Sequence, residues 1–256
     1  MRKKKKMTKL PIILDTIIDE ELQDQIEDVL FDCNWKYHAD NTFLAEHFGS
    51  KYRKFLNPLK YDISPTFITS ISPFENKEAC NKLFLLMQKG CNEIKFKVQR
   101  IRRCMGGIHA LIRKKTKKDA AHINFDVPHL VMLYYVNDCD GDTILYDKKL
   151  NDIPTNAYYS EDGCYEFNIE HRVKPKRGRI LFFDGRTYHS ASTPSSGMRC
   201  IITFDLFGEF EDGRYKFPAP EIAQKYEEMN VEFWGESHKP DVDIIEKLDK
   251  KFIKYS

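Results

Sequence analysis

A chain of 256 residues with 41% hydrophobic and 13% aromatic side chains can bury a sizeable core, which excludes a disordered protein. A formal net charge of +2 excludes charge steering of the whole molecule toward nucleic acid or membrane. The seven cysteines are odd in number and hold no CxxC pair, so neither a disulfide framework nor a zinc ribbon is expected, and a reducing compartment fits.

Residues 1–9 read as a basic tail. The run Arg2–Lys6 is a solvated segment, a contact to nucleic acid or a targeting element, and the sequence leaves these open. The stretch 10–18 predicts a short strand leading into a helix with Asp19 as N-cap. Leu22, Ile26, Val29 and Leu30 form the helix's apolar stripe. Residues 34–76 are mixed, and the stretch 55–74, with three prolines and short apolar runs, reads as loops with one strand.

The clearest helix spans 77–97, where Cys80, Leu83, Phe84, Met87, Cys91 and Ile94 recur at helical spacing. Gly90 weakens it slightly. The alternating stretch from Ile94 predicts a strand ending in a turn at Gly106–Gly107, then a second short strand and a basic connector over 114–121. Strands follow at 129–136, 143–147, 165–173, 179–184 and 198–206, separated by turn signals and without intervening helices. That order predicts a mainly β sandwich, jelly roll or barrel. Asp138, Asp140 and Asp142 around Gly141 read as a turn rather than a calcium loop. Residues 221–232 and 243–255 read as amphipathic helices of a C-terminal extension, 221–256, packed on a single domain that spans 10–220. No signal-peptide core or run of about 20 apolar residues is read, so the expected protein is soluble, intracellular and cytoplasmic, with no membrane partner.

The chemistry concentrates in four places. His122 opens a segment, HINFDVPHLVMLYYVN, that runs into an apolar strand. Tyr134 and Tyr135 are adjacent and so face opposite sides of that strand, one of them inward. His189 is placed just beyond the end of the strand RILFFD. Arg199, Ile201 and Thr203 share one face of a later strand. If that face is buried, Arg199 needs an anion, either a protein carboxylate or a ligand's. His109 and His171 lie in strands and are read as facing solvent or a hydrogen bond. His129 is given no role.

As an ordered set, H-x-N, YYVN, GRILFFDG…H and R-x-x-x-T resembles the iron(II)- and 2-oxoglutarate-dependent dioxygenases. The likeness is to the prolyl-4-hydroxylase-like branch, and to its small members in viruses and phages. It covers roughly residues 100–207. The resemblance implies a double-stranded β-helix with N- and C-terminal helices outside it. It implies an Fe(II) site of two histidines and a carboxylate, with His122 and His189 as the histidines. Arg199 would bind the distal carboxylate of 2-oxoglutarate, helped by Tyr135 and Thr203. The implied reaction hydroxylates a substrate, protein or peptide being favoured, with O2 consumed, succinate and CO2 released and ascorbate as reductant. In a viral member the compartment would be the host cell's.

The family pattern is H-x-D, and here Asn124 stands in place of the aspartate. Three outcomes follow: Asn124 ligates weakly, Asp126 substitutes through a local bulge, or the site is degenerate and the protein binds without turnover.

Overall fold

The computed structural model describes residues 9–38, 61–62, 66–71, 77–110, 118–119, 121–124, 127–152 and 167–217. The basic run Arg2–Lys6, the expected C-terminal helices, Asp126 and most of the basic connector lie outside them.

Local sequence sets the first elements. Strand β1 (Ile12–Leu14) leads to helix α1 (Glu20–Phe31), whose first turn is closed by Leu22 N donating to Asp19 Oδ1 at 2.9 Å. Short strands β2 (Lys36–His38), β3 (Tyr61–Asp62) and β4 (Thr66–Ser70) precede helix α2 (Lys77–Ile94). The rest is β: β5 (Phe96–Ala110), β6 (Lys118–Asp119), β7 (Leu130–Tyr135), β8 (Thr143–Lys149), β9 (Ile169–Val173), β10 (Ile180–Asp184), β11 (Thr187–Ala191) and β12 (Met198–Phe210).

The major sheet has seven strands in the order β1-β10-β7-β12-β5-β4-β2, with every neighbouring pair antiparallel. A three-stranded sheet, β11-β8-β9, faces it, and β3 pairs with β6 separately. The mainly β jelly-roll expectation holds. No helix among the described residues is long and apolar enough to cross a membrane.

Strand β7 shows why the two sheets and the helices stack. All six of its residues are buried. Leu130, Met132 and Tyr134 pack toward Leu22, Ile26, Leu83 and Met87 of the helices. Val131, Leu133 and Tyr135 pack toward Leu145 and Val173 of the smaller sheet. The period of two thus serves two cores at once, and the sequence is apolar on both faces.

Helix α2 lies close on the sheet at Gly90. A Cβ there would meet Met132 Cε at 2.9 Å and Ile180 Cδ1 at 3.1 Å. The residue that lowers helix propensity is therefore the one that sets how near α2 approaches the sheet.

Two expectations change, and the stretch 55–74 holds two strands, β3 and β4, where one was expected. Gly106–Gly107 is not a turn: β5 runs unbroken from Phe96 to Ala110. A side chain at Gly106 would run into Thr69 Cγ2 at 2.8 Å and Trp35 Cη2 at 2.9 Å, so the glycine serves close packing across the strand. His189 does not lie past a strand end but within β11, which pairs with β8 in the smaller sheet. Of the two settings expected for His109, solvent or a hydrogen bond, the first does not hold: it is buried on β5, opposite Arg199. The Asp138–Asp142 turn is as expected. Asp138 accepts from Arg177 N at 2.9 Å, Asp140 accepts from Ser195 N at 2.8 Å, and Asp142 lies 3.6 Å from Arg172.

The link from β10 to β11 passes through Gly185, whose N–H donates to His129 O at 2.9 Å. A Cβ on Gly185 would sit 1.9 Å from His129 Nε2, inside the fully buried imidazole. Gly185→Ala is therefore expected to lower stability by about 1–3 kcal/mol through overpacking. Urea unfolding checks this, with a lower midpoint at unchanged slope expected.

Candidate active site

A cavity lies between the smaller sheet and the major sheet. His122, Asn124, His189, Arg199 and Thr203 all line it.

His122 and His189 are joined by backbone before their side chains meet. His122 N donates to His189 O at 2.9 Å, and His189 N donates to His122 O at 2.8 Å. This isolated antiparallel bridge carries the segment before β7 onto β11. It sets the two rings 4.5 Å apart, centroid to centroid. His189 is further held by the edge of Phe183, at 5.0 Å.

His189 Nδ1 lies 2.9 Å from Thr187 O. A carbonyl only accepts, so Nδ1 carries the proton and Nε2 keeps its lone pair. Burial, with His122 beside it, pushes the His189 pKa down to about 3, so the ring is neutral at ordinary pH. A neutral imidazole with a fixed tautomer is the form that can ligate a metal.

Asn124 completes the group with an amide. Its Nδ2 donates to Asp205 Oδ1 at 3.0 Å. Asp205, on β12, is fully buried and accepts from Arg103 Nε at 2.6 Å, while His129 Nε2 lies 3.5 Å from Oδ1. Burial alone would raise the Asp205 pKa, but Arg103, His129 and Asn124 together outweigh it and hold the carboxyl well below the usual range. Among the described residues, no three His, Cys, Asp or Glu side chains converge as a metal-binding group.

At the other end of β12's inner face lies Arg199, 1% exposed. Its Nη2 donates to Thr143 Oγ1 at 2.7 Å, and Tyr135 OH donates to the same oxygen at 2.6 Å. Arg199 Nε and Nη1 are buried without a hydrogen-bond partner among the described residues. No described carboxylate pairs with it. Of the two anions left open for this arginine, the protein's own is thus not supplied by any described residue. Burial pulls its pKa below the ordinary value, yet a guanidinium stays charged. Gly141 gives the arginine stem its room, since a Cβ there would meet Arg199 Cδ at 3.1 Å.

Tyr135 points inward as the alternation requires, and burial raises its pKa against the pull of Arg199. Thr203 is buried on the strand face between Arg199 and Asp205. Val131, Leu133, Phe183 and Ile201 supply an apolar wall.

Sequence reasoning missed Asp205, Arg103, Thr143 and the buried position of His129. Asp205 had a signal: it is the single charge inside the apolar run IITFDLF, on the face already assigned to Arg199 and Thr203.

No family model and no curated protein matches the sequence. Solved structures do match in fold. A 2OG-Fe(II) oxygenase family oxidoreductase from Burkholderia pseudomallei superposes with a TM-score of 0.51 at 10% identity, covering 81% of this chain and 86% of that one. The viral collagen prolyl hydroxylase of Paramecium Bursaria Chlorella virus-1, in its 2OG complex, has a TM-score of 0.44 at 14% identity, covering 77% and 96%. HygX from Streptomyces hygroscopicus, with nickel and 2-oxoglutarate bound, has a TM-score of 0.46 at 11% identity, covering 82% and 91%. The fold is that of the 2OG-Fe(II) oxygenases, and the resemblance read from the ordered motifs holds at that level.

The Arg103–Asp205 contact gives a direct test of the buried network. Arg103→Ala leaves a buried carboxylate uncompensated and is expected to cost about 3–5 kcal/mol. In a double-mutant cycle with Asp205→Ala, read by urea unfolding, the double variant should lose clearly less than the two singles added together.

Proposed function

We propose that this chain is an iron(II)- and 2-oxoglutarate-dependent oxygenase that hydroxylates a substrate of protein or peptide class, with succinate and CO2 as co-products. The observation that carries the reading is Arg199. A fully buried guanidinium whose Nε and Nη1 have no hydrogen-bond partner among the described residues opens onto the cavity that also holds a histidine pair. Burying such a charge is costly unless an anion meets it, and a carboxylate matches its fork.

The donor set fits the metal in two places and departs in the third. His122 and His189 would hold the ion through imidazole nitrogens, and Asn124 Oδ1 would offer a neutral oxygen where a carboxylate is expected. Asp126, the other candidate carboxylate, lies outside the described residues. Iron(II), when bound, supplies the O2 chemistry that side chains cannot.

The chain's own contribution is positional. Arg199 binds the distal carboxylate of 2-oxoglutarate. Tyr135 acts on it through Thr143, the hydroxyl that both residues already engage, and Thr203 lines the path between the two ends. His189 stays neutral because burial disfavours its charged form. Val131, Leu133, Phe183 and Ile201 keep water from the reacting centre. Thr66 and Ile68 of β4 and Met105 of β5 form the remaining wall, the surface left for substrate.

A binding protein without turnover is the second reading, and the neutral amide at position 124 favours it. Succinate release with Fe(II), ascorbate and a peptide library, read beside mass spectra for a gain of one oxygen, separates the two. The proposed reading requires both signals. Binding of 2-oxoglutarate with neither signal supports the second.

Arg199→Ala is expected to raise the 2-oxoglutarate Kd at least 30-fold. Removing one partner of a buried, hydrogen-bonded charge pair costs about 2–5 kcal/mol. Calorimetry reads it, and an unchanged Kd would sink the anion assignment.

A further inference from the structure

We infer that Asp205 is the positioning residue of the metal site: it turns the Asn124 amide so that Oδ1 faces the histidine pair, and it holds the negative charge that position 124 lacks. This rests on the iron site proposed above.

The geometry leaves the amide little choice. Arg103 Nε sits 2.6 Å from Asp205 Oδ2 and so pairs with an ionised carboxylate that has no exposure to water. An ionised carboxylate has no proton to give, so it can only accept. The neighbour 3.0 Å from Asp205 Oδ1 must therefore be the NH2 end of Asn124. Among the described residues nothing donates to Asn124 Oδ1, and the side chain lines the cavity with His122 and His189. An oxygen acceptor is thus presented with a fixed orientation.

Asp205 is not itself placed as a ligand. Oδ2 is taken by Arg103, and Oδ1 by Asn124 with His129 3.5 Å away. It stands one layer behind the amide, as a carboxylate stands behind a ligating histidine in many metal sites. Hydrogen bonding from Nδ2 to an anion draws electron density toward the amide oxygen, which makes that oxygen a better donor. The inner strand face of β12 therefore supplies through Asn124 what position 124 cannot supply alone.

The arrangement also predicts how position 124 responds to substitution. Asn124→Asp by itself places two carboxylates about 3 Å apart in a buried site, where like charges repel strongly. The charge is restored there only if Asp205 gives up its own, as in Asn124→Asp with Asp205→Asn.

The experiment is Co2+ titration calorimetry, with thermal unfolding of the metal-free proteins alongside, on the full chain. The parent, His122→Ala, Asp205→Asn, Asn124→Asp and the charge-swapped double variant are compared. His122-dependent Co2+ binding in the parent is required by the iron-site reading. Given that, Asp205→Asn is expected to weaken Co2+ binding about 10- to 100-fold, the usual range for an outer partner of a metal ligand. The double variant should recover that loss. Without metal, Asn124→Asp should melt below the parent and the double variant above Asn124→Asp.

Co2+ affinity unchanged in Asp205→Asn, with parental binding intact, overturns the positioning role and leaves the iron site standing. An Asn124→Asp protein as stable as the parent overturns the coupling of the two residues without any metal. Loss of His122-dependent binding in the parent overturns the iron-site reading, and with it the ligand role of Asn124. If Asp205→Asn does not fold, the double variant against Asn124→Asp carries the same comparison.

Discussion

One face of strand β12 carries two buried charges of opposite sign: Arg199 lines the cavity, and Asp205 stands behind Asn124, which lines it too. Arg199 and Asp205 are separated by six residues of strand, roughly 20 Å at the usual rise. Both are withdrawn from water, at 1% and 0% exposure. Desolvation therefore presses on both, yet the chain answers it differently at each end. Asp205 receives a guanidinium and an amide from the protein, with His129 Nε2 3.5 Å away. Arg199 receives a threonine hydroxyl and the face of Tyr135, 5.7 Å from the ring centroid, and neither is an anion. Among the described residues the Asp205 end is thus compensated, and the Arg199 end meets no anion.

What holds these ends in place is the double burial of the major sheet. Strand β12 is hydrogen-bonded on one side to β5 and on the other to β7. Its outer residues, Ile202, Phe204 and Leu206, are locked against the helices. A one-residue slip would move Arg199 and Asp205 into the helix-facing core and Ile202 and Phe204 into the cavity. Register is therefore specified from both faces. The smaller sheet then supplies the residues that meet the cavity from the other side, Thr143 on β8 and His189 on β11.

Much of this was legible in the sequence where periodicity is strong and local. The stripes of α1 and α2, the buried strands β7 and β10, and the opposite facing of Tyr134 and Tyr135 follow from spacing alone. So does the shared face of Arg199 and Thr203. The failures have one cause, which is that the deciding contact comes from far along the chain. Gly106–Gly107 reads as a turn until Trp35 and Thr69 are seen to occupy the space of a side chain. His189 looks like a strand end because β11 follows β10 after two residues and yet belongs to the opposite sheet. Asp205 is recognisable as a charge in an apolar strand, but its partner Arg103 lies 102 residues away. Periodicity names the face on which a residue stands. It does not name the partner.

The two ends of β12 also answer two different chemical questions. An uncompensated buried guanidinium argues for an anionic ligand, and it argues so whether or not the bound complex reacts. Turnover, on the proposed reading, would depend instead on the charge presented to an ion held by His122 and His189. A carboxylate at position 124 would deliver that charge by direct contact, whereas an amide backed by Asp205 delivers a dipole with the charge one layer further out. The field of a charge weakens with distance, but little water lies here to screen it, so a fully buried Asp205 acts at longer range than an exposed carboxylate could. Arg103 offsets part of that field, since its guanidinium touches the same carboxylate. On the proposed reading, the field at the site would be set by the balance of Arg103 against Asp205. That balance is fixed by the pairing of β5 with β12, the same register that places Arg199 at the other end.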